Sequence, residues 1–392
     1  MSLEHVLSLI ELEKFDEAVR ISNSMTDPNL FNDVLIIKAL IAFAKGDHEK
    51  TIELLSPLLE INDGNNSLLR FYLSSSMSSI GLCREGWEQS FQAKLDTKTI
   101  LGQDIKRFNG KSLFINQPPP AVVHIHSTSG EGDNICLMRY LPLLVEKGYT
   151  VRYEAKAGAV KLARDSFHDI EVIQLATDYP GTTGVSDFDY HLPTDDLPYV
   201  LQTELDTIPW SGPYIKSDSE LVKKYKSCKN KIGICWSTGP KSGQWKERYL
   251  YRKSIVFDLL KPIIEIDPCR FVAVQAGPTR LVNNLIADVL PKDERLLNWA
   301  ETAALIENLD LLISIDTSVA HLAASMGKQV WLMLSDYSYG WQFMAKRPDC
   351  SWNDSSPWYP SMRIFRQRER DDWDPVINDI VKELEIKYGS RS

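Results

Sequence analysis

Three stretches of the chain put carboxylate, hydroxyl and cationic side chains where an anionic ligand can be handled. In IDTSVAHLAASMG, Ile315 to Gly327, an apolar strand-like run ends at Asp316, the turn DTS follows, and a helix rich in small residues runs to Gly327. A helix that starts at the carboxyl end of a parallel strand points unpaired amides and its positive dipole end into the crevice, which favours a phosphate there. Thr317 and Ser318 can cap that helix while also bonding a diphosphate, and His321 lies in its first turn. The plainer alternative is that Asp316 and Thr317 only cap the helix and His321 is an interior histidine with its bonds satisfied.

The second stretch is STSGEGDNI, in which Asp133 follows Gly130 and Gly132 where a helix begins. Group transfer to a hydroxyl needs a base for the hydroxyl proton, and a carboxylate within hydrogen-bond reach supplies one. The glycines let a ligand approach the backbone. Glu131 adds a second carboxylate without an evident role, and an N-cap is the simpler reading of Asp133. The third stretch, WSTGPKSGQWKERYLYRKS, follows the strand run KIGICW and gathers Trp236, Ser237 and Thr238 with Lys241, Lys246, Arg248, Arg252 and Lys253. Cations there suit a departing diphosphate. A solvated basic loop is the alternative.

These sites need elements to hold them. The first hundred residues carry a weak repeat, with Ala18, Thr51 and Gly86 at 33- and 35-residue intervals and turns near Gly46 and Gly81. Such a period predicts stacked helical hairpins, all-α and similar to tetratricopeptide repeats. A plain helical bundle is the alternative. At Gln117 to Pro120 the run QPPP stops any helix, and strand and helix then alternate. AVVHIH, YTVRYEA and EVIQLA read as strands of one parallel sheet, with a helix near Val160 to Ser166. KIGICW, FVAVQAG, LDLLISID and VWLMLS read as strands of a second sheet. Its helices are expected over Val256 to Ile266, Leu281 to Val289 and Thr302 to Asn308. The expected division is therefore repeats over 1–100, an α/β lobe over 118–218, a second over 229–372 and an amphipathic helix over 373–392.

Composition narrows the function classes. A net charge of −9 and a pI near 5.4 argue against a nucleic-acid footprint, which needs clustered Lys and Arg. The six cysteines form no CxxC and no Cys/His cluster, so neither a zinc ribbon nor a disulfide framework is expected, and a cytoplasmic location is. The acidic, helix-periodic start is unlike a signal peptide, and no transmembrane segment is expected. The DFD at Asp187 to Asp189 imitates a metal-binding DxD but is an ordinary coincidence in a chain with 53 acidic residues.

ETAALIENLDLLISIDTSVAHLAASMGKQVWLML, followed by SPWYPSMRIFRQ and DDW, resembles the bacterial glycosyltransferases that join tetratricopeptide repeats to a heptosyltransferase-like module, and is distantly similar to the O-linked N-acetylglucosamine transferases. The resemblance covers about residues 120 to 385. It implies a GT-B fold of two Rossmann-like lobes, a nucleotide-sugar donor in the C-terminal lobe, an acceptor at the N-terminal lobe, inversion at the sugar, and no cofactor or metal. It further implies that Asp133 is the base. Family members usually read GLGD where this chain reads GEGD. Trp236, Arg252, Gln275, Asp316, Thr317, Ser318 and His321 are then the donor-binding set, supported by Gly130, Gly132, Lys253 and Trp299. Asn298 is also placed for the nucleoside. Trp358, Tyr359 and Arg363 read as structural, and YGWQFM departs from the family's WRW-like stretch.

The acceptor stays open between a protein, a glycan and a lipid-linked saccharide, with a protein partner suited to the repeats. A scaffold with degenerate, non-catalytic lobes is the rival reading. A dinucleotide-dependent oxidoreductase is disfavoured because GEGDNI lacks the third glycine of GxGxxG.

Overall fold

The computed structural model describes residues 5–6, 8–9, 14–25, 30–61, 66–96, 112–114, 116–175, 187–238, 253–275, 287–288, 298–336, 340–344 and 354–389. The chain divides into two compact units. The first takes the helices of residues 1–110 together with Pro198–Ile208 and Tyr339–Asn353, and the second takes both sheets.

In the first unit the helices Phe15–Ser24, Phe31–Ala44, His48–Ile61, Ser67–Ser79 and Cys83–Asp96 follow one another. Their apolar faces meet in clusters such as Ala39, Leu55, Leu58, Leu69 and Leu73. The expected turns stand at Gly46 and Gly81, with φ of 74° and 92°, a left-handed conformation that glycine adopts without Cβ strain. The small residues of the repeat sit where helices touch. Ala18 and Thr51 are fully buried, and a Cβ on Gly86 would lie 2.3 Å from Ser78 Oγ. Later segments add aromatic contacts: Phe91 stacks on Tyr199 at 4.5 Å and Trp87 meets Trp341 edge-on at 5.0 Å. YGWQFM therefore contributes Trp341 to the packing of the helical unit.

The second unit holds two parallel sheets. The first runs in the order β1-β5-β2-β3-β4, with β1 Ser112–Leu113, β2 Val122–His126, β3 Thr150–Ala155, β4 Glu171–Gln174 and β5 Tyr190–Pro193. The second runs β11-β10-β9-β6-β7-β8, from β6 Lys231–Cys235, β7 Phe271–Ala273, β8 Ala287–Asp288, β9 Leu309–Ile315, β10 Val330–Leu334 and β11 Met362–Arg366. Strands buried on both faces need unbroken apolar runs, which is why LDLLISI and VWLML lack polar alternation. One face of the second sheet is closed by the C-terminal helix Asp374–Tyr388, through Val376, Ile377, Ile380 and Leu384.

One expectation is corrected. A helix was expected over Leu281 to Val289, yet Ala287–Asp288 pair with Val272 and Ala273 of β7 as a parallel edge strand. The open edge of β7 offers backbone hydrogen bonds that outweigh a weak helical pattern. The remainder of that stretch lies outside the described residues. Val256 to Ile266 forms a 3-10 turn, Phe257–Leu260, and then the short helix Lys261–Ile264.

Candidate active site

Both sheets send their site-forming loops from the carboxyl ends of their strands, and two helix starts meet there. From β2 the chain passes through Ser127 to Gly130 into the helix Glu131–Leu137. From β9 it passes through Asp316 and Thr317 into the helix Ser318–Ser325. The two helices pack at Gly132, where a Cβ would stand 2.6 Å from the His321 ring and 3.3 Å from Ser318 Cα. No other residue permits this approach, so Gly132 brings the turn carrying Asp133 to the head of the Ser318 helix.

The glycine loop is held from below. Thr128 and Ser129 hydroxyls donate to Asp195 Oδ2 at 2.9 and 2.6 Å, and the Lys156 ammonium donates to the Ser129 carbonyl. Asn134 donates to the Ser129 carbonyl at 3.0 Å and accepts from Thr194 at 2.7 Å. Asp195 and Thr194 follow β5 in HLPTDD, so adjacent strands fix the loop. Glu131 is held differently. Its carboxyl is pushed up by burial, against the opposing effects of the Lys156 charge and a hydrogen bond with Trp299. Its Oε2 is buried and meets no hydrogen-bond partner among the described residues.

At the start of the facing helix, Asp316 binds the Lys253 ammonium, and its Oδ1 lies 3.8 Å from His321 Nε2. The two paired side chains are 11% and 13% exposed. Burial pushes the Asp316 carboxyl up, but the Lys253 charge and His321 outweigh it and hold the group well below the usual carboxylate range. His321 is buried, with Nδ1 2.9 Å from the Tyr359 hydroxyl. Thr317 stands at the N-cap position without a side-chain cap bond, because its hydroxyl turns to Ser314 at 3.2 Å and Cys235 at 3.8 Å. The capping expected of Thr317 is therefore not made. The Ala320 amide donates to the Thr317 carbonyl at 3.0 Å, and among the described residues the Ser318 and Val319 amides meet no side-chain acceptor.

Other sequence candidates are placed as follows. Gln275 does not face open space: its Oε1 accepts from the Trp236 and Ser237 amides at 3.1 and 2.9 Å, and its Nε2 donates to the Ser237 carbonyl at 2.9 Å. It clamps the turn after β6. The Trp236 ring lies in the apolar core of the second sheet, edge-on to Phe257. Trp299 lies beside Gly158 of the first lobe, 3.7 Å from indole Nε1 to an added Cβ, and bonds Glu131. Asn298 is the N-cap of its helix, accepting from the Glu301 amide at 2.9 Å. Lys241, Lys246, Arg248 and Arg252 lie outside the described residues. In DFD, Asp187 pairs with Arg152 at 2.8 Å and Asp189 accepts from the Val122 amide at 2.8 Å, both structural.

Arg139 was missed. It sits in the apolar run ICLMRYLPLL, and its guanidinium lies 4.9 to 5.7 Å from the rings of Trp210, Tyr214, Trp358 and Tyr359. It donates to the carbonyls of Cys136, Pro209 and Trp358. A lone Arg inside an apolar helix was the available signal, since such a cation must find partners when buried. Trp358 and Tyr359, read as structural, are wholly buried around it.

The chain matches no protein-family model. Protein FlbA of Caulobacter vibrioides is 22% identical over 353 residues, 81% of this chain and 55% of that protein, so the chain spans about half the length of this relative. Among solved structures, a glycosyl transferase family 9 protein from Veillonella parvula DSM 2008 aligns at a TM-score of 0.47 and 12% identity, over 70% of this chain and 98% of that one. E. coli heptosyltransferase WaaC with ADP-2-deoxy-2-fluoro heptose aligns at 0.42 and 11% identity, over 68% and 99%. Likeness at this level does not speak to activity, which has to rest on the side chains.

Proposed function

We propose that the second unit is an inverting glycosyltransferase of GT-B type that moves a sugar from a nucleotide-sugar donor to an acceptor hydroxyl, without a metal. The observation that carries this reading is the close seat of Gly132 on Ser318 and His321, which sets the carboxylate-bearing turn of Asp133 beside an uncapped helix start flanked by Lys253. An anion-suited helix start alone would fit many ligands. A carboxylate next to it, on the other side of a cleft, fits transfer.

In this reading the donor diphosphate lies over the amides of Ser318 and Val319, with the Lys253 ammonium against its charge. The acceptor oxygen attacks the anomeric carbon as the bond from that carbon to the phosphate oxygen breaks. The proton passes to Asp133, and the bonding electrons leave with the nucleoside diphosphate. Asp316 does not meet the phosphates directly, since like charges repel; it fixes Lys253 and faces His321. Gln275 and Trp236 shape the turn after β6 that borders the donor. Trp299 borders the nucleoside, and Arg252, next to Lys253 in sequence, is the expected second cation. The helical unit is assigned a tetratricopeptide-like role of presenting a protein or glycan acceptor.

The test is release of nucleoside diphosphate from ADP-, UDP- and GDP-sugars by the full chain and by Asp133→Asn. Turnover should fall by about 100- to 10,000-fold in the variant with donor binding retained. Undiminished acceptor-dependent turnover would remove Asp133 as base.

A further inference from the structure

Two observations concern how His321 is held. Its Nδ1 is 2.9 Å from the Tyr359 hydroxyl, and its Nε2 faces Asp316 Oδ1 at 3.8 Å. The Tyr359 hydroxyl in turn interacts with the thiol of Cys136, in the helix of the first lobe that carries Asp133. All three side chains are buried. The ring is closed in on its remaining side by Gly132.

We propose that Tyr359 is a positioning residue whose hydroxyl donates to His321 Nδ1 and fixes the ring as the Nε2–H tautomer, directing that N–H at the Asp316 carboxylate that holds Lys253. A neutral imidazole carries one proton, and the nitrogen that accepts from a neighbour decides where it goes. Burial keeps the Tyr359 phenol well above its ordinary value, so it retains its proton as a donor. The proton order then runs from the Tyr359 O–H to Nδ1 and from Nε2–H towards Asp316. The opposite tautomer would set the Nε2 lone pair against a carboxylate oxygen, two acceptors facing each other. Only the consequence for catalysis, an Asp316 carboxylate oriented to present Lys253, rests on the sugar-nucleotide reading.

The experiment is ¹⁵N NMR of the histidine-labelled full chain at neutral pH, with the His321 signals among the seven histidines assigned by their loss in His321→Gln. The expected wild-type pattern is a protonated Nε2 and an unprotonated, hydrogen-bonded Nδ1. Tyr359→Phe should replace it by the averaged shifts of mixed tautomers. A proton on Nδ1 in the wild type, whether as the other tautomer or as the imidazolium, overturns the proposal, as does an unchanged pattern in Tyr359→Phe. If that variant does not fold, the wild-type pattern decides alone. Absence of sugar-nucleotide binding beside the expected tautomer would defeat the functional reading and leave the positioning of His321 standing.

Discussion

At the residue scale the central pair is Lys253 with Asp316. A carboxylate whose pKa is lowered on folding contributes stability that is present above its unfolded value and is lost as pH falls through its folded value. For Asp316 the loss therefore belongs below about pH 4, the ordinary carboxylate range. Asp316→Asn should cost about 3 kcal/mol at pH 7, because it leaves Lys253 enclosed without its partner. Urea unfolding from pH 7 downward should show the difference from wild type constant to about pH 5 and shrinking below pH 4. A difference independent of pH would mean that the pair contributes nothing through charge. The residue types at these positions were legible in the sequence, since IDTS and RKS both mark strand or loop ends. Their pairing was not, because 63 residues separate them and no local periodicity encodes such a distance. Gln275 shows the same limit: its place at a strand end was evident, and its engagement with the Trp236–Ser237 turn depends on a neighbouring strand.

At the element scale, glycines decide how closely helices approach. Gly132→Ala should push the Glu131–Leu137 helix off His321, whose ring is held by Tyr359 and has little room to yield. The expected cost is about 1 to 3 kcal/mol, read as a lower thermal midpoint, with donor affinity falling as well. In the helical unit, Gly86→Ala meets Ser78 Oγ and the Ser74 carbonyl, and should cost a similar 1 to 3 kcal/mol without touching donor binding. Loss of donor binding in Gly86→Ala, with the fold retained, would contradict the separation of roles. The strands around both sites were legible because buried parallel strands must be apolar throughout. The N-terminal helices were legible because small residues recur where they touch. The edge strand Ala287–Asp288 was not, since a two-residue pairing is dictated by the open edge of β7 rather than by its own sequence.

At the scale of the larger unit, the two parallel sheets bring the helix that carries Asp133 against the helix start beside Asp316 and Lys253. Among the described residues no helix is long and apolar enough to cross a membrane, and no group of three or more His, Cys, Asp or Glu is arranged to hold a metal ion. In the proposed transfer, charge neutralisation is assigned to protein cations, Lys253 first among them. Lys253→Met keeps the aliphatic stem and removes only the ammonium. The most direct measurement is isothermal titration of ADP-, UDP- and GDP-sugars into the full chain and into Lys253→Met, with folding of both checked by circular dichroism. The account predicts that at least one sugar nucleotide binds the wild-type chain and that the variant binds it at least about 10-fold more weakly, the order of one charge-assisted phosphate contact. Failure of every sugar nucleotide to bind at millimolar concentration, or equal binding by Lys253→Met, would contradict it.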